Sequence, residues 1–248
     1  MTKTSNVLQV LRLFSDERQH VRVAEIASLL SVSSATAYRY VSELEQAGLI
    51  EAASVGRYVL GPAIVELDRQ IRVHDPLIAA AADIMKSLSE RTGGTTILAR
   101  LHGLRVVCVD QVRGRHGPTS VSYERGRAMP LYRGATSTAI LAHLDSDMLR
   151  AVAAHDADAL EQAGLPSTAG ALMQHFERVR ALGIAHSDSA VDAETLGWGV
   201  PIRHGRHLLG SLSVALSRRA PDIAPQRVAD QLKRAAWRVQ ARMDGQAK

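Results

Sequence analysis

Between Asn6 and Leu60, apolar helical stripes follow one another with almost no spacer, and two short strand-like runs come directly after them. Few folds accommodate that order. Val7, Leu8, Val10, Leu11 and Phe14 recur at the 3.6-residue period and give a first helix one apolar face. Val23, Ile26, Ala27 and Leu30 do the same for a second, shorter helix. Ser31-Val32-Ser33 then breaks the pattern. Ser33 is a good N-cap, because its hydroxyl can accept from the backbone N–H of residue 36. A third helix carries Ala37, Tyr40, Val41 and Leu44 on one face and stops at Gly48, the residue type expected just past a helix end. Leu49–Ala52 and Arg57–Leu60 read as strands joined by Ala53-Ser54-Val55-Gly56, a hairpin candidate.

Helices and hairpin in that order describe a winged helix-turn-helix. A short turn between helices two and three fixes their crossing angle, so the third can lie in a major groove while the second braces it. The solvent side of the third helix carries Ala35, Arg39, Ser42 and Glu43, and its start carries Ser33, Ser34, Thr36 and Tyr38. Short hydroxyls and an arginine near a helix N-terminus suit base edges and phosphates. Arg57 follows the Gly56 turn and is placed to reach phosphate or minor groove from the wing. The same pattern also fits a small helical bundle that binds no DNA.

Charge sharpens that choice. The chain has 248 residues and a net charge of +5, with 30 basic and 25 acidic side chains. Residues 1–75 hold eight basic and nine acidic groups, so the excess lies wholly in the rest. DNA binding would then depend on the local placement of Arg39, Arg57, Arg22 and Lys3, with few phosphate contacts per monomer and hence a need for a dimer. A single cysteine, Cys108, excludes an intrachain disulfide scaffold and a thiolate zinc cluster. An apolar fraction of 46% excludes wholesale disorder. The most apolar run, Leu77–Ile84, is too short for a membrane span, and no secretory signal is visible, so a cytoplasmic protein without membrane attachment is expected.

The remaining residues read as α+β. Leu77–Thr92 is helical. Thr95–Leu101 and Arg105–Val112 are strands around His102-Gly103, and Thr119–Tyr123 is a further strand. Thr136–Leu144, Asp147–Ala154 and Ala169–Leu182 read as helices. Gly199–Arg203 and Leu208–Leu216 read as strands, and Ala224–Met243 as a long final helix. Pro62–Val73 is a helix ended by Asp75-Pro76, and its spacing fits a connector or a helix packed on the first domain equally well. No Gly-x-Ser-x-Gly elbow, Walker loop or Gly-x-Gly-x-x-Gly is present. His204 and His207 lack a third ligand nearby, and Cys108 sits in an apolar strand as an inert thiol. We therefore expect no catalytic residues, no metal site and no cofactor.

LQVLRLF, VAEIASLLSVSSATAYRYVSELEQAGLI and GRYVLGPAIVEL resemble the IclR family of bacterial transcriptional regulators. Further matches are Arg91–Thr96, Met129–Ala135 and Gly210–Val214, so the resemblance spans nearly the whole chain. It implies a winged helix-turn-helix (1–61), a linker helix (62–75) and a GAF-like effector-binding domain (76–248). It also implies a homodimer or dimer of dimers on double-stranded operator DNA, held by the first helix and the C-terminal domains, with a small organic acid as effector. The family's pocket lies between sheet and loop. The resemblance places the amides of Gly134 and Ala135 against a carboxylate, where a helix start offers free N–H groups and a positive dipole end. Ser211 and Ser213 alternate onto one strand face, either into that pocket or on a solvated face. Small-acid sensors of the family carry an aspartate and, ten residues on, a cysteine. Here Ser187 and Gly197 stand there, with Asp188 and Trp198 as neighbours. A bulkier acid, aromatic or otherwise, is the reading that follows, with Trp198, Leu131 and Met129 as wall, against plain core packing for Trp198.

Overall fold

The computed structural model describes residues 5–118, 122–220 and 224–245. Contacts divide the chain into two compact units, residues 1–75 and 76–248.

The first unit is built from α1 (Asn6–Leu11), α2 (Val23–Leu29), α3 (Ser34–Gln46), β1 (Ile50–Ser54), β2 (Arg57–Leu60) and α4 (Pro62–His74). Of the residues the periodicity singles out, Val10, Val23, Ile26, Ala37, Val41 and Leu44 form its core with Val21 and Ile50, Val7, Leu11, Phe14, Ala27, Leu30 and Tyr40 pack against it partly buried, and Leu8 is 50% exposed. The α2–α3 turn is a tight helix ending. Ser31 adopts φ 53°, the left-handed conformation that glycine normally fills. Ser31 N–H then reaches Ser28 O at 3.2 Å, and Val32 N–H reaches Ala27 O at 3.0 Å, the paired bonds of a Schellman end. α3 ends the same way at Gly48, with φ 67°. β1 runs two residues beyond its expected end at Ala52. The connection shrinks to Val55-Gly56, and the register shifts between Ala52 and Ser54. Val21 bridges to Tyr58 and adds a third edge to the wing.

The second unit comprises α5 (Pro76–Thr92), β3 (Thr95–His102), β4 (Arg105–Val112), β5 (Ala128–Pro130), α6 (Gly134–Leu141) and α7 (Ser146–Gln162). It continues with α8 (Ala169–His175), α9 (Glu177–Leu182), β6 (Ala185–Asp188), β7 (Thr195–His204), β8 (His207–Ser217) and α10 (Pro225–Gly245). Six strands form an antiparallel sheet in the order β5-β4-β3-β8-β7-β6.

The central strands are buried on both faces, and the two-residue period decides what each face meets. Leu212, Val214 and Leu216 of β8, with Trp198, Val200 and Ile202 of β7, pack under α5 and α10. Ser211 and Ser213 face the other way and bond to α6. That second face, with Ile97, Ala99, Val106 and Cys108, also holds Leu131, Ile140 and Leu141.

Several readings of this unit change. The helix expected over Asp147–Ala154 runs on to Gln162 across a kink at Asp156, and the strand expected from Gly199 begins at Thr195. The strand expected at Thr119–Tyr123 falls partly outside the described residues, and Ser122 and Tyr123 are not in a strand. The helix expected over Ala169–Leu182 breaks at Phe176, whose backbone (φ −95°, ψ 8°) leaves helical geometry as its ring enters the core. α6 starts at Gly134 rather than Thr136. The short strands β5 and β6 have no pattern long enough to read. Each is an edge strand and depends on a long neighbour for its hydrogen bonds.

Candidate functional sites

The first site is the N-terminal half of α3 together with the wing. Ser33 caps α3: its Oγ accepts from Thr36 N–H at 3.2 Å and lies 2.9 Å from Thr36 Oγ1. This stabilises the turn on which Ser34, Thr36, Tyr38 and Arg39 are carried. Tyr38 is 62% exposed although it is a large ring, so it is free to meet a partner. Arg39 is exposed, 3.7 Å from Glu43 Oε1, with its guanidinium 5.7 Å from the Tyr40 ring centre. An exposed pair of that length holds the side chain only weakly, so Arg39 can leave it for a phosphate or a guanine. Arg57 is exposed beside the wing tip, where Val55 stands fully in solvent. Lys3 lies outside the described residues. Ser33, Ser34, Thr36, Tyr38, Arg39 and Arg57 thus belong to one small unit, on a capped helix start and a hairpin.

The second site is a hollow at the start of α6, lined by Gly134, Ala135, Thr136, Ile97, Val191 and Asp192 among others, with a free volume of ≈ 30 Å³. α6 is buried nearly all round. Close approach to β7 is allowed by two glycines. A side chain at Gly199 would strike Ala135 O at 2.4 Å, and one at Gly197 would meet Ser187 Oγ at 2.7 Å. Gly134 holds φ 76°, and a Cβ there would lie 2.6 Å from Val191 Cγ2. Glycine is required on both counts.

The first turn of any helix leaves amides without intrahelical partners. Here Ala135 N–H donates to Ser187 Oγ at 3.0 Å. Tyr123 braces the same turn. Its buried hydroxyl donates to Arg133 O at 2.8 Å and sits 2.6 Å from Ser137 Oγ, and burial pushes its pKa up to about 12. The outer wall is the segment 189–194. Ser122 N–H donates to both Asp192 carboxylate oxygens, at 3.0 and 3.2 Å, and Arg133 Nη2 donates to Ala190 O at 3.3 Å.

Only some of the expected ligand residues meet here. Gly134 and Ala135 line the hollow. Ser211 and Ser213 are buried on the same sheet face, but their hydroxyls bond Thr136 O and Thr136 Oγ1, each at 2.9 Å, so they anchor α6. Leu131 is fully buried in the core, with Met129 8% exposed beside it. Trp198 lies on the opposite face of the sheet, among α5 and α10 residues, because its position in β7 is even where Thr195 and Gly197 are odd. Asp188 is outside, ion-paired to Arg218, which lowers its pKa. The residues that line the hollow and that sequence reasoning passed over include Ile97, Tyr123, Val191, Asp192 and Ala215. Alternation along β3 could have shown Ile97. Asp192 comes from a loop with no periodic signal.

Cys108 is fully buried, and desolvation pushes its thiol up to about 12. Among the described residues no cluster of three or more His, Cys, Asp or Glu could hold a metal, and no helix is long and apolar enough to cross a membrane.

Comparison with known proteins gives the same division of labour. Residues 4–54 match the IclR helix-turn-helix domain, and residues 70–241 match the C-terminal domain of bacterial IclR transcriptional regulators. The HTH-type transcriptional regulator XynR of Escherichia coli is 26% identical over 233 residues, covering 92% of this chain and 91% of its own. A solved IclR transcriptional regulator from Silicibacter sp. TM1040 superposes with a TM-score of 0.80 at 25% identity, over 96% of this chain and 95% of that one. An IclR homologue from Microbacterium hydrocarbonoxydans, complexed with 4-hydroxybenzoate, shares the fold at 19% identity and a TM-score of 0.73, over 97% and 98%. A helix-turn-helix unit, a sheet-and-helix effector unit and matches to both halves make this chain a member of the IclR family of DNA-binding bacterial transcriptional regulators.

Proposed function

We propose that this regulator reads operator DNA with Ser33, Ser34, Thr36, Tyr38 and Arg39 of the α3 start and with Arg57 of the wing. An organic acid bound at the start of α6 sets its affinity. The observation that carries the second half is the helix start itself. The first-turn amides of Gly134 and Thr136 have no intrahelical partner, and both residues line a hollow whose apolar walls are Ile97, Val191 and Ala215 and whose polar ones include Ser187 and Asp192. A carboxylate belongs on those amides and an apolar body against those walls. The 4-hydroxybenzoate held by the fold neighbour is an acid of that type. A free volume of ≈ 30 Å³ admits a carboxylate but no ring, so an aromatic acid requires Val191 and the 189–194 segment to move outward. Met129, Leu131, Trp198, Ser211 and Ser213 then act behind the site, holding sheet and helix, and Asp188 stays outside it.

The protein works as a homodimer or dimer of dimers in the cytoplasm, with α4 as linker between the reading unit (1–61) and the effector unit (76–248). Two α3 helices must match half-sites about 34 Å apart, one DNA turn. Effector binding favours one arrangement of the linkers and thereby shifts operator affinity, a coupling that is reciprocal. Neither half requires a cofactor.

Isothermal titration calorimetry with glyoxylate, pyruvate, benzoate and 4-hydroxybenzoate tests the effector. Saturable binding of the aromatic acids, with operator affinity changed at saturation, is the expected result. Tight glyoxylate binding with no response to the larger acids overturns the assignment of a bulky apolar ligand.

A further inference from the structure

One wall of the α6 hollow carries a negative charge that no cation offsets. The segment between β6 and β7 is bounded by two acids that are paired: Asp188 with Arg218, and Glu194 with Arg219 at 3.0 Å. Asp192 lies between them and lines the hollow. Among the described residues its carboxylate is held by Ser122 alone, through an N–H and an O–H that carry no charge. The backbone fixes its position. Ser189 and Glu194 bracket it at φ 50° and 56°, a left-handed conformation that non-glycine residues keep only where their surroundings enforce it. The charge is felt at the start of α6. Burial raises the pKa of Tyr123 most and Asp192 raises it further, and the Tyr123 hydroxyl bonds Arg133 O just before Gly134.

The hollow therefore offers amides to one carboxylate and sets a carboxylate against whatever that ligand carries next. Like charges repel more strongly where water is scarce. The arginine beside the segment, Arg133, donates to Ala190 O in an exposed position, where solvent screens it. A carboxylate has about four acceptor positions, and Ser122 fills three of those on Asp192, so one is left for a donor. We propose that Asp192 is the specificity-determining residue of this site, restricting its ligand to acids with a single negative charge whose remaining part is neutral or donates a hydrogen bond. Dicarboxylates are then rejected by charge. The inference rests on the organic-acid reading of the hollow.

The test is calorimetry on the full-length protein at neutral pH with two matched pairs, oxamate against oxalate and 4-carbamoylbenzoate against terephthalate. Within each pair an amide replaces one carboxylate, so shape is kept while one charge is removed, and both carboxyls of each diacid are ionised at that pH. The monoanion is expected to bind about tenfold or more tighter than its diacid. In Asp192→Asn that ratio should fall to about threefold or less. In Asp188→Asn, where Arg218 already offsets the charge, it should stay as in the parent protein. A diacid that binds as tightly as its monoamide, or a ratio that Asp192→Asn leaves unchanged, overturns the inference and leaves the α6 site standing. Discrimination within the oxamate pair alone supports it and overturns only the bulky ligand. No saturable binding by any of the four acids or by benzoate overturns the α6 site itself, and this inference with it.

Discussion

Two helix starts, those of α3 and α6, present similar chemistry built in opposite ways. α3 is capped from within its own sequence, by Ser33 accepting from Thr36 N–H. Its outer face stands in solvent, and in the function proposed above its side chains do the recognising. α6 is capped from 52 residues away, by Ser187 accepting from Ala135 N–H, and it is buried almost completely. There the proposed ligand would meet backbone, because the neighbouring side chains are occupied with holding the helix. A surface that reads a long polymer needs exposed, adjustable side chains. A hollow for a small acid needs fixed amides shielded from water, where electrostatic attraction is stronger.

The largest expected break in this comparison is Arg39→Ala. Losing an exposed arginine on the reading face should weaken operator binding by about 10–100-fold, measured by fluorescence anisotropy, with acid affinity unchanged. Operator binding that survives removes α3 from the reading role.

Gly134→Ala against Gly48→Ala comes next. Both glycines have positive φ, 76° and 67°. Left-handed backbone alone costs a non-glycine residue about 1–2 kcal/mol. At Gly48 a new Cβ meets only Ala63 Cβ, at an ordinary 3.4 Å. At Gly134 it collides with Val191 as well. Thermal unfolding should show the greater loss for Gly134→Ala, and only that variant should lose acid binding.

The caps give the direct test. Ser33→Ala and Ser187→Ala should each lower stability by about 1 kcal/mol in denaturant titrations. The first should weaken DNA binding as the start of α3 frays. The second should leave DNA binding intact and open the Ala135 amide to the acid.

Asp192 puts a negative charge beside the hollow proposed for a carboxylate. Asp192→Asn should tighten acid binding by an amount on the order of 1 kcal/mol, read by calorimetry.

The smallest effect concerns pH. His143 is half-buried at the end of α6, and desolvation lowers its pKa below 6.5. The unfolded chain then binds more protons than the folded one. Its contribution is fully present above pH 6.5 and is lost as pH falls through the folded value. His143→Gln should flatten that acid limb in pH-dependent melting of the effector unit.

Much of the reading unit was visible in residue order because its contacts are local. Ser33 caps a residue three positions on, Gly48 ends the helix just before it, and the periodic residues Val23, Ile26, Ala37, Val41 and Leu44 are the core. β1 ran past its expected end, where an irregular pairing near Ser54 absorbed the extra residues, and α1 stopped at Leu11, short of Phe14. In the effector unit the long strands and α10 were legible by the same periodicity. The site was legible only at Gly134 and Ala135. Trp198 was weighed as pocket wall, yet strand parity turns it to the opposite face, and that parity depends on where β7 begins.

The sequence by itself determined the helix-turn-helix, its cap, its apolar faces and the near-neutral charge of the reading unit, since each follows from neighbours within a turn or two. Tertiary structure alone decided that Ser187 meets Ala135, that Asp192 and Val191 close the hollow, and that Ser211 and Ser213 hold α6. Those contacts join residues roughly 50 to 80 positions apart. No local pattern encodes such distances. They arise when glycines at 197 and 199 let a buried helix settle onto the sheet.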